Sequence, residues 1–142
     1  MLVRELMSTD VVTCGVDASL AEAVELRLDR GVGSCIVVGD DETPIGIVTE
    51  SDALRVALET DRSLSALDVR DVGHHPVVTT EPTTAVSTVA RTMAAEGVKK
   101  VPVMDGIDLV GIVTMSDVVW SLSRLRRELA DSEALREKWG PN

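Results

Sequence analysis

Apolar residues recur along this chain in two rhythms, and the same succession of rhythms comes round twice. Leu20, Ala23, Val24 and Leu28 stand at helical spacing up to Gly31; Val86, Val89, Ala90, Met93 and Ala94 do so up to Gly97. Each set predicts an amphipathic helix closed by glycine. Ahead of the first helix, Leu2 to Met7 reads as a short lead-in helix and Val11-Val12-Thr13 as a brief strand. After it, Cys35 to Val38 is a continuous apolar run, followed by an acidic turn and then Ile45 to Thr49, which predicts a buried hairpin. Asp52 to Leu58 returns to helical spacing, and Glu59 to Leu67 reads as a linker. The order in each copy is strand, helix, strand, strand, helix.

The repetition extends to residue identity. Gly46-Ile47-Val48-Thr49-Glu50-Ser51-Asp52 recurs 65 residues later as Gly111-Ile112-Val113-Thr114-Met115-Ser116-Asp117. At an offset of 66, Val3-Arg4-Glu5 matches Val69-Arg70-Asp71, Val12-Thr13 matches Val78-Thr79, and Gly31-Val32 matches Gly97-Val98. An internal repeat of this length is one supersecondary unit built twice. The offset falls by one between Val37 and Gly46, which puts an extra residue in the turn Gly39 to Pro44. Turns accept single insertions, whereas a one-residue slip in a strand turns every side chain to the other face.

The C-terminus breaks the symmetry. Val118, Val119, Leu122, Leu125 and Leu129 continue a helical stripe toward Leu135 and Trp139. The stripe either covers the module's own apolar face or meets a second molecule; its pattern does not choose between them. The division of the chain is residues 1–62, residues 63–123 and a helical extension over 124–142.

Composition narrows the function classes. The 142 residues include 44% hydrophobic side chains but no Phe or Tyr and two Trp, so the core must be aliphatic. Two halves of this size lie near the lower limit for independent cores and are expected to pack on each other. A net charge of −10 argues against a general nucleic-acid or anionic-membrane surface. The two cysteines do not make a disulfide framework, and no leader or spanning segment is read in the chain. A cytoplasmic protein is the expectation.

The lead-in, the Val-Thr strand, the helix ending in Gly-Val, Val101-Pro102-Val103 and the two Gly-Ile-Val-Thr-x-Ser-Asp endings together resemble the cystathionine-β-synthase (CBS) domain, as a tandem pair covering roughly residues 2 to 122. The resemblance implies an α+β fold of two β-α-β-β-α repeats packed with pseudo-twofold symmetry. It implies two clefts that take adenosine-containing ligands: AMP, ADP or ATP, with S-adenosylmethionine as a further option. It also implies a homodimer and an effector protein to which occupancy is reported.

The chemistry of the repeated phrase points the same way. Thr49 and Ser51, like Thr114 and Ser116, place hydroxyls beside the free N–H groups of a helix start, where phosphate is favoured. Asp52 and Asp117 would repel phosphate but suit a ribose diol. The resemblance assigns the aspartates to ribose and the hydroxyls to phosphate. It places Val12, Thr13, Ser34, Cys35 and Ile36 from one copy, and Val78, Thr79, Lys100, Val101 and Pro102 from the other, near the base. Thr-x-x-Asp is equally a capping box, which needs no ligand. Ligand-independent dimerisation as a scaffold is therefore the alternative function.

The copies differ where Lys99-Lys100 stands against Gly33-Ser34, where Val16 stands against Pro82, and where Arg55 has Trp120 as its counterpart. Arg55 is read either as a phosphate ligand or as the ion-pair partner of Glu59. Trp120 could stack on a base, but burial under the terminal helix is the expectation. His74 and His75 lack the further ligands of a metal site. Cys14 and Cys35, on two strands of one repeat, are expected to be small apolar fillers, with redox sensing a lesser reading. No catalytic constellation is apparent, and the protein is not expected to be an enzyme.

Overall fold

The computed structural model describes residues 1–72 and 77–139, the side chains of Leu125 and of residues 132–139 excepted. His74 and His75 lie outside the described residues. The first repeat comprises β1 (Thr13–Gly15), α1 (Leu20–Arg30), β2 (Ser34–Val38), β3 (Pro44–Thr49) and α2 (Glu50–Thr60). The second comprises α3 (Val86–Glu96), β4 (Lys100–Asp105), β5 (Asp108–Thr114) and α4 (Met115–Trp139). A 3-10 turn precedes each repeat, at Val3–Glu5 and Val69–Asp71. The fold is the expected α+β arrangement of two β-α-β-β-α repeats, with the first strand of the second copy reduced as described below.

Local chemistry accounts for the helix limits. Ser19 accepts Glu22 N–H while Glu22 reaches back to Ser19 N–H, a reciprocal cap that starts α1. Gly31 and Gly97 end α1 and α3 at φ 66° and 67°, the left-handed conformation that glycine enters without a Cβ penalty.

The first sheet has the order β1-β2-β3, with β1 parallel to β2 and β2 antiparallel to β3. In the second, β4 and β5 pair antiparallel, and the expected Val78-Thr79 strand contributes only an isolated bridge between Thr80 and Val103. The first strand likewise forms at Thr13–Gly15 rather than Val11–Thr13. Both hairpins slip register at equivalent places, after Val37 and after Val103. Five residues separate the paired Val38 and Pro44, and four separate the equivalent pair Met104 and Leu109, beyond which Asp105 also pairs with Asp108; the extra residue sits at the tip of the first hairpin.

The lead-ins are exchanged between the repeats. Val3 packs with Val86, Val89, Met93 and Val101 in the second core, whereas Leu67 and Val69 pack with Val12, Leu20 and Val37 in the first. The backbone bonds match in pairs across the 66-residue offset: Val3 N–H to Thr84 O and Val69 N–H to Ala18 O, then Leu20 N–H to Leu67 O and Val86 N–H to Met1 O. Ile36, Ile47 and Ile112 form a third cluster between the sheets. Burying three such side chains contributes about 1.5–3 kcal/mol each, enough to hold the sheets face to face.

The terminal helix leaves much of its stripe uncovered. Val118 is buried, but Val119, Leu122 and Leu129 are exposed, as are Leu54 and Leu58 on α2. The described part of the extension therefore does not bury these positions within its own chain. Trp120 is 52% exposed, against the expectation of burial, and the Arg127 guanidinium stands 5.9 Å from its ring centre. Both residues are on α4, seven positions apart, so the helix passes away from Trp120 instead of folding over it.

Candidate functional site

Two clefts open where the repeats meet, and each combines a phrase from one repeat with a strand edge from the other. The larger, about 400 Å³, is lined by Ile47, Thr49, Ser51, Asp52 and Arg55 of the first repeat. Val77, Val78, Val98, Lys99 and Lys100 close it from the second. The smaller, about 250 Å³, sets Thr114 and Asp117 against Asp10, Val12, Gly33, Ser34 and Ile36. Lys100 lines both.

Strand alternation decides which expected residues reach the clefts, because successive side chains take opposite faces. On β2, Ser34 and Ile36 line the smaller cleft, whereas Cys35 belongs to the core with Val37. On β4, Lys100 faces the clefts, Val101 and Val103 are in the second core, and Pro102 is buried. Thr13 lines a separate groove with Thr9, Val38 and Leu109. Thr79 and Ser116 are exposed and border neither cleft. Thr49, Ser51, Asp52 and Lys100 thus come together in one cleft, and Ile36, Thr114, Asp117 and Lys100 in the other.

Both Thr-x-x-Asp phrases form capping boxes. Thr49 Oγ1 accepts Asp52 N–H at 3.3 Å, and Asp52 Oδ2 accepts Thr49 N–H at 3.1 Å and the Thr49 hydroxyl at 2.8 Å. Asp117 Oδ2 accepts Thr114 N–H at 2.8 Å, and Thr114 Oγ1 accepts Asp117 N–H at 3.2 Å. The two carboxylates then differ. Asp52 is 2% exposed, and Arg55 donates to its Oδ1 at 2.6 Å. Arg55 therefore pairs back along its helix to Asp52 rather than forward to Glu59. At the corresponding place after Asp117 stands the uncharged Trp120.

Among the described residues, the larger cleft is cationic. Arg55, paired with Asp52, lines it together with Lys99, Lys100 and the apolar side chains of Ile47, Val77, Val78 and Val98. Lys100 Nζ donates to Gly33 O at 3.2 Å. Burial pushes its ammonium pKa below the ordinary 10.5, Arg27 nearby lowers it further, and Asp52 partly offsets them. The Cys35 thiol donates to Cys14 Sγ at 3.1 Å inside the first core. That bond and burial push the Cys35 pKa up, and accepting it pulls Cys14 down. The two cysteines are neighbours in the sheet, as their strands suggested.

Gly111 is approached by protein. A Cβ there would lie 2.8 Å from Ser8 O and 2.9 Å from Met7 Sδ, because the lead-in crosses β5 at that point. Sequence reasoning also missed Asp10, Val77 and Val98 as cleft residues. Val98 stood inside a matched pair and Asp10 and Val77 only near one, and periodicity does not show which repeat a segment will face.

The model of the CBS domain matches residues 3–59 and 69–124, and the chain belongs to the CBS-domain family. It is a tandem CBS pair, a regulatory module, and no catalytic domain is evident among the described residues. An uncharacterised protein of Methanopyrus kandleri is 30% identical over 118 residues, which are 82% of this chain and 60% of that relative. The chain spans 32–60% of the length of three curated relatives that it matches. The hexameric CBS-CP12 protein of bloom-forming cyanobacteria has a TM-score of 0.78 at 25% identity, covering 97% of this chain and 87% of that one. The CBS domain pair of protein MJ0100, solved in complex with 5′-methylthioadenosine and S-adenosyl-L-methionine, has a TM-score of 0.74 at 24% identity, covering 87% and 96%. Among the described residues no helix is long and apolar enough to cross a membrane.

Proposed function

We propose that the protein senses an adenosine-containing nucleotide of the AMP, ADP or ATP class in the Asp52 cleft and passes its occupancy to a partner protein. One observation carries this reading: a 400 Å³ cleft in which a buried carboxylate, a helix N-terminus and three cations surround an apolar slot. Cavities of this size and mixture are typical of small-ligand sites. In the reading, the base enters between Ile47, Val77 and Val78, and the ribose diol donates to Asp52. The phosphates meet Ser51, the N–H groups opening α2, and Arg55, Lys99 and Lys100. Arg55 is half exposed and can turn from Asp52 to phosphate. The adenosyl ligands of the MJ0100 pair support the class; the cations here favour a phosphate over the sulfonium of S-adenosylmethionine.

Occupancy becomes a signal only if it favours one helix arrangement over another. α2 begins at the cleft and carries the exposed Leu54 and Leu58, so a shift at its N-terminus reaches a surface suited to association. That surface, with Val119, Leu122 and Leu129 of α4, supports a second reading as a dimerising scaffold that needs no ligand.

Isothermal titration with AMP, ADP, ATP and S-adenosylmethionine separates the two readings. The nucleotide reading expects saturable binding that weakens about 10–100-fold in Asp52→Ala, the effect of losing charge-assisted bonds to ribose. Circular dichroism checks that α2 survives loss of its cap. Absence of binding by all four ligands would leave the scaffold; full affinity in the folded variant would move the nucleotide site away from Asp52.

A further inference from the structure

Lys100 occupies a place that neither capping nor a single binding site explains. It extends from β4 along the boundary of the two clefts and contributes to the lining of both. Its ammonium is seated on Gly33 O, a residue that lines only the Asp117 cleft. The seat is close: a Cβ on Gly33 would stand 3.2 Å from Lys100 Nζ. In the other repeat the matching carbonyl, Lys99 O, is taken by a backbone donor, Met115 N–H at 2.8 Å. The side-chain seat therefore belongs to one cleft alone.

The charges around this ammonium are unequal. In the Asp52 cleft it is one of three lining cations, beside Arg55 and Lys99. Among the described residues lining the Asp117 cleft it is the one cation, opposite Asp10 and Asp117, and Asp10 is already held by Arg30 at 2.7 Å. The amine is also partly desolvated near Arg27, so an anion on the Asp52 side relieves a repulsion that Gly33 O answers only with a neutral acceptor.

We propose that Lys100 is a cation shared by the two clefts: a phosphate-bearing ligand in the Asp52 cleft draws its ammonium from Gly33, and the Asp117 cleft then disfavours a second phosphate. This rests on the nucleotide reading above and adds its regulation, a negative coupling between clefts. Coupling between sites is reciprocal and commonly amounts to about 5–150-fold in affinity. An adenosyl ligand without phosphate makes no demand on Lys100 and escapes it.

The test is ADP titration of the full chain, the Ser51→Trp variant, whose indole fills the Asp52 cleft, and both again in a Lys100→Met background. The wild type is expected to bind one ADP tightly and a second about tenfold or more weakly. Ser51→Trp is expected to bind one ADP about tenfold tighter than that second equivalent, because the ammonium stays on Gly33. In Lys100→Met this gain vanishes. A wild type with two equal sites, or a Ser51→Trp site no tighter than the wild-type second site, overturns the sharing and leaves nucleotide sensing intact. No ADP binding by the wild type overturns both. A measurement without variants guards against misfolding of Ser51→Trp: the Ser34 amide nitrogen, bonded to the Gly33 carbonyl carbon, should shift in NMR spectra with the first ADP equivalent. A shift only with the second equivalent overturns the proposal.

Discussion

Gly111→Ala tests the crossing of the lead-in over β5, which shapes the smaller cleft. The new methyl would lie 2.8 Å from Ser8 O, and the obstacle is backbone, so no rotamer change relieves it. The same crossing is held by Ser8 N–H to Ile112 O and Ile112 N–H to Ser8 O, each 2.9 Å. Overpacking of this kind costs about 1–3 kcal/mol. Weakening two backbone hydrogen bonds adds about 1 kcal/mol. The expected loss is therefore about 2–4 kcal/mol, or about 7–13 °C in Tm for a chain of this size. Gly15→Ala is the matched control: its Cβ meets nothing within 4 Å, and it should stay within about 0.5 kcal/mol of wild type. Urea and thermal unfolding followed by circular dichroism measure both. A Gly111→Ala protein as stable as the control would refute the crossing and, with it, the shape of the smaller cleft, which Ser8 also lines.

Other consequences reach separate parts of the structure. Because burial lowers the Lys100 pKa, its ammonium costs stability below that lowered value, and the cost is relieved as pH rises through it toward 10.5. ADP affinity should fall over the same alkaline window, and titrations in Lys100→Met should lack that component of the fall. Leu54→Glu combined with Leu122→Glu should shift a dimer toward monomer in sedimentation experiments, since each exposed leucine can contribute about 1.5–3 kcal/mol when buried; an unchanged mass would assign those side chains no part in association. Cys14 and Cys35 are buried, so alkylation of the native protein should follow unfolding; rapid labelling of either without loss of structure would contradict their place in the core.

Much of this architecture is legible in the chain. The helical spacing from Leu20 and the closing Gly31 describe α1 almost residue by residue, because periodicity and glycine caps are local. The one-residue change of offset likewise located the longer turn, since ladder pairing leaves no other room for it. Tertiary arrangement was harder to read. Nothing in Val3 or Val69 shows that each lead-in packs on the other repeat, because an apolar side chain does not specify which of two similar cores receives it. That exchange also explains the clefts. The repeat aligns Lys100 with Ser34, but the folded chain sets it beside Asp52 and Arg55. Pleating then sends Cys35 and Val101 into the cores while their neighbours Ile36 and Lys100 line the clefts. Val78-Thr79 resembled a strand yet forms a single bridge at Thr80, since strand pairing depends on a partner as well as on β-branched residues.

The most direct measurement is a crystal structure of the full chain grown with ADP. The account predicts ribose against Asp52 and phosphates among Arg55, Lys99 and Lys100. ADP bound in solution but ordered away from the Asp52 cleft in the crystal would contradict it.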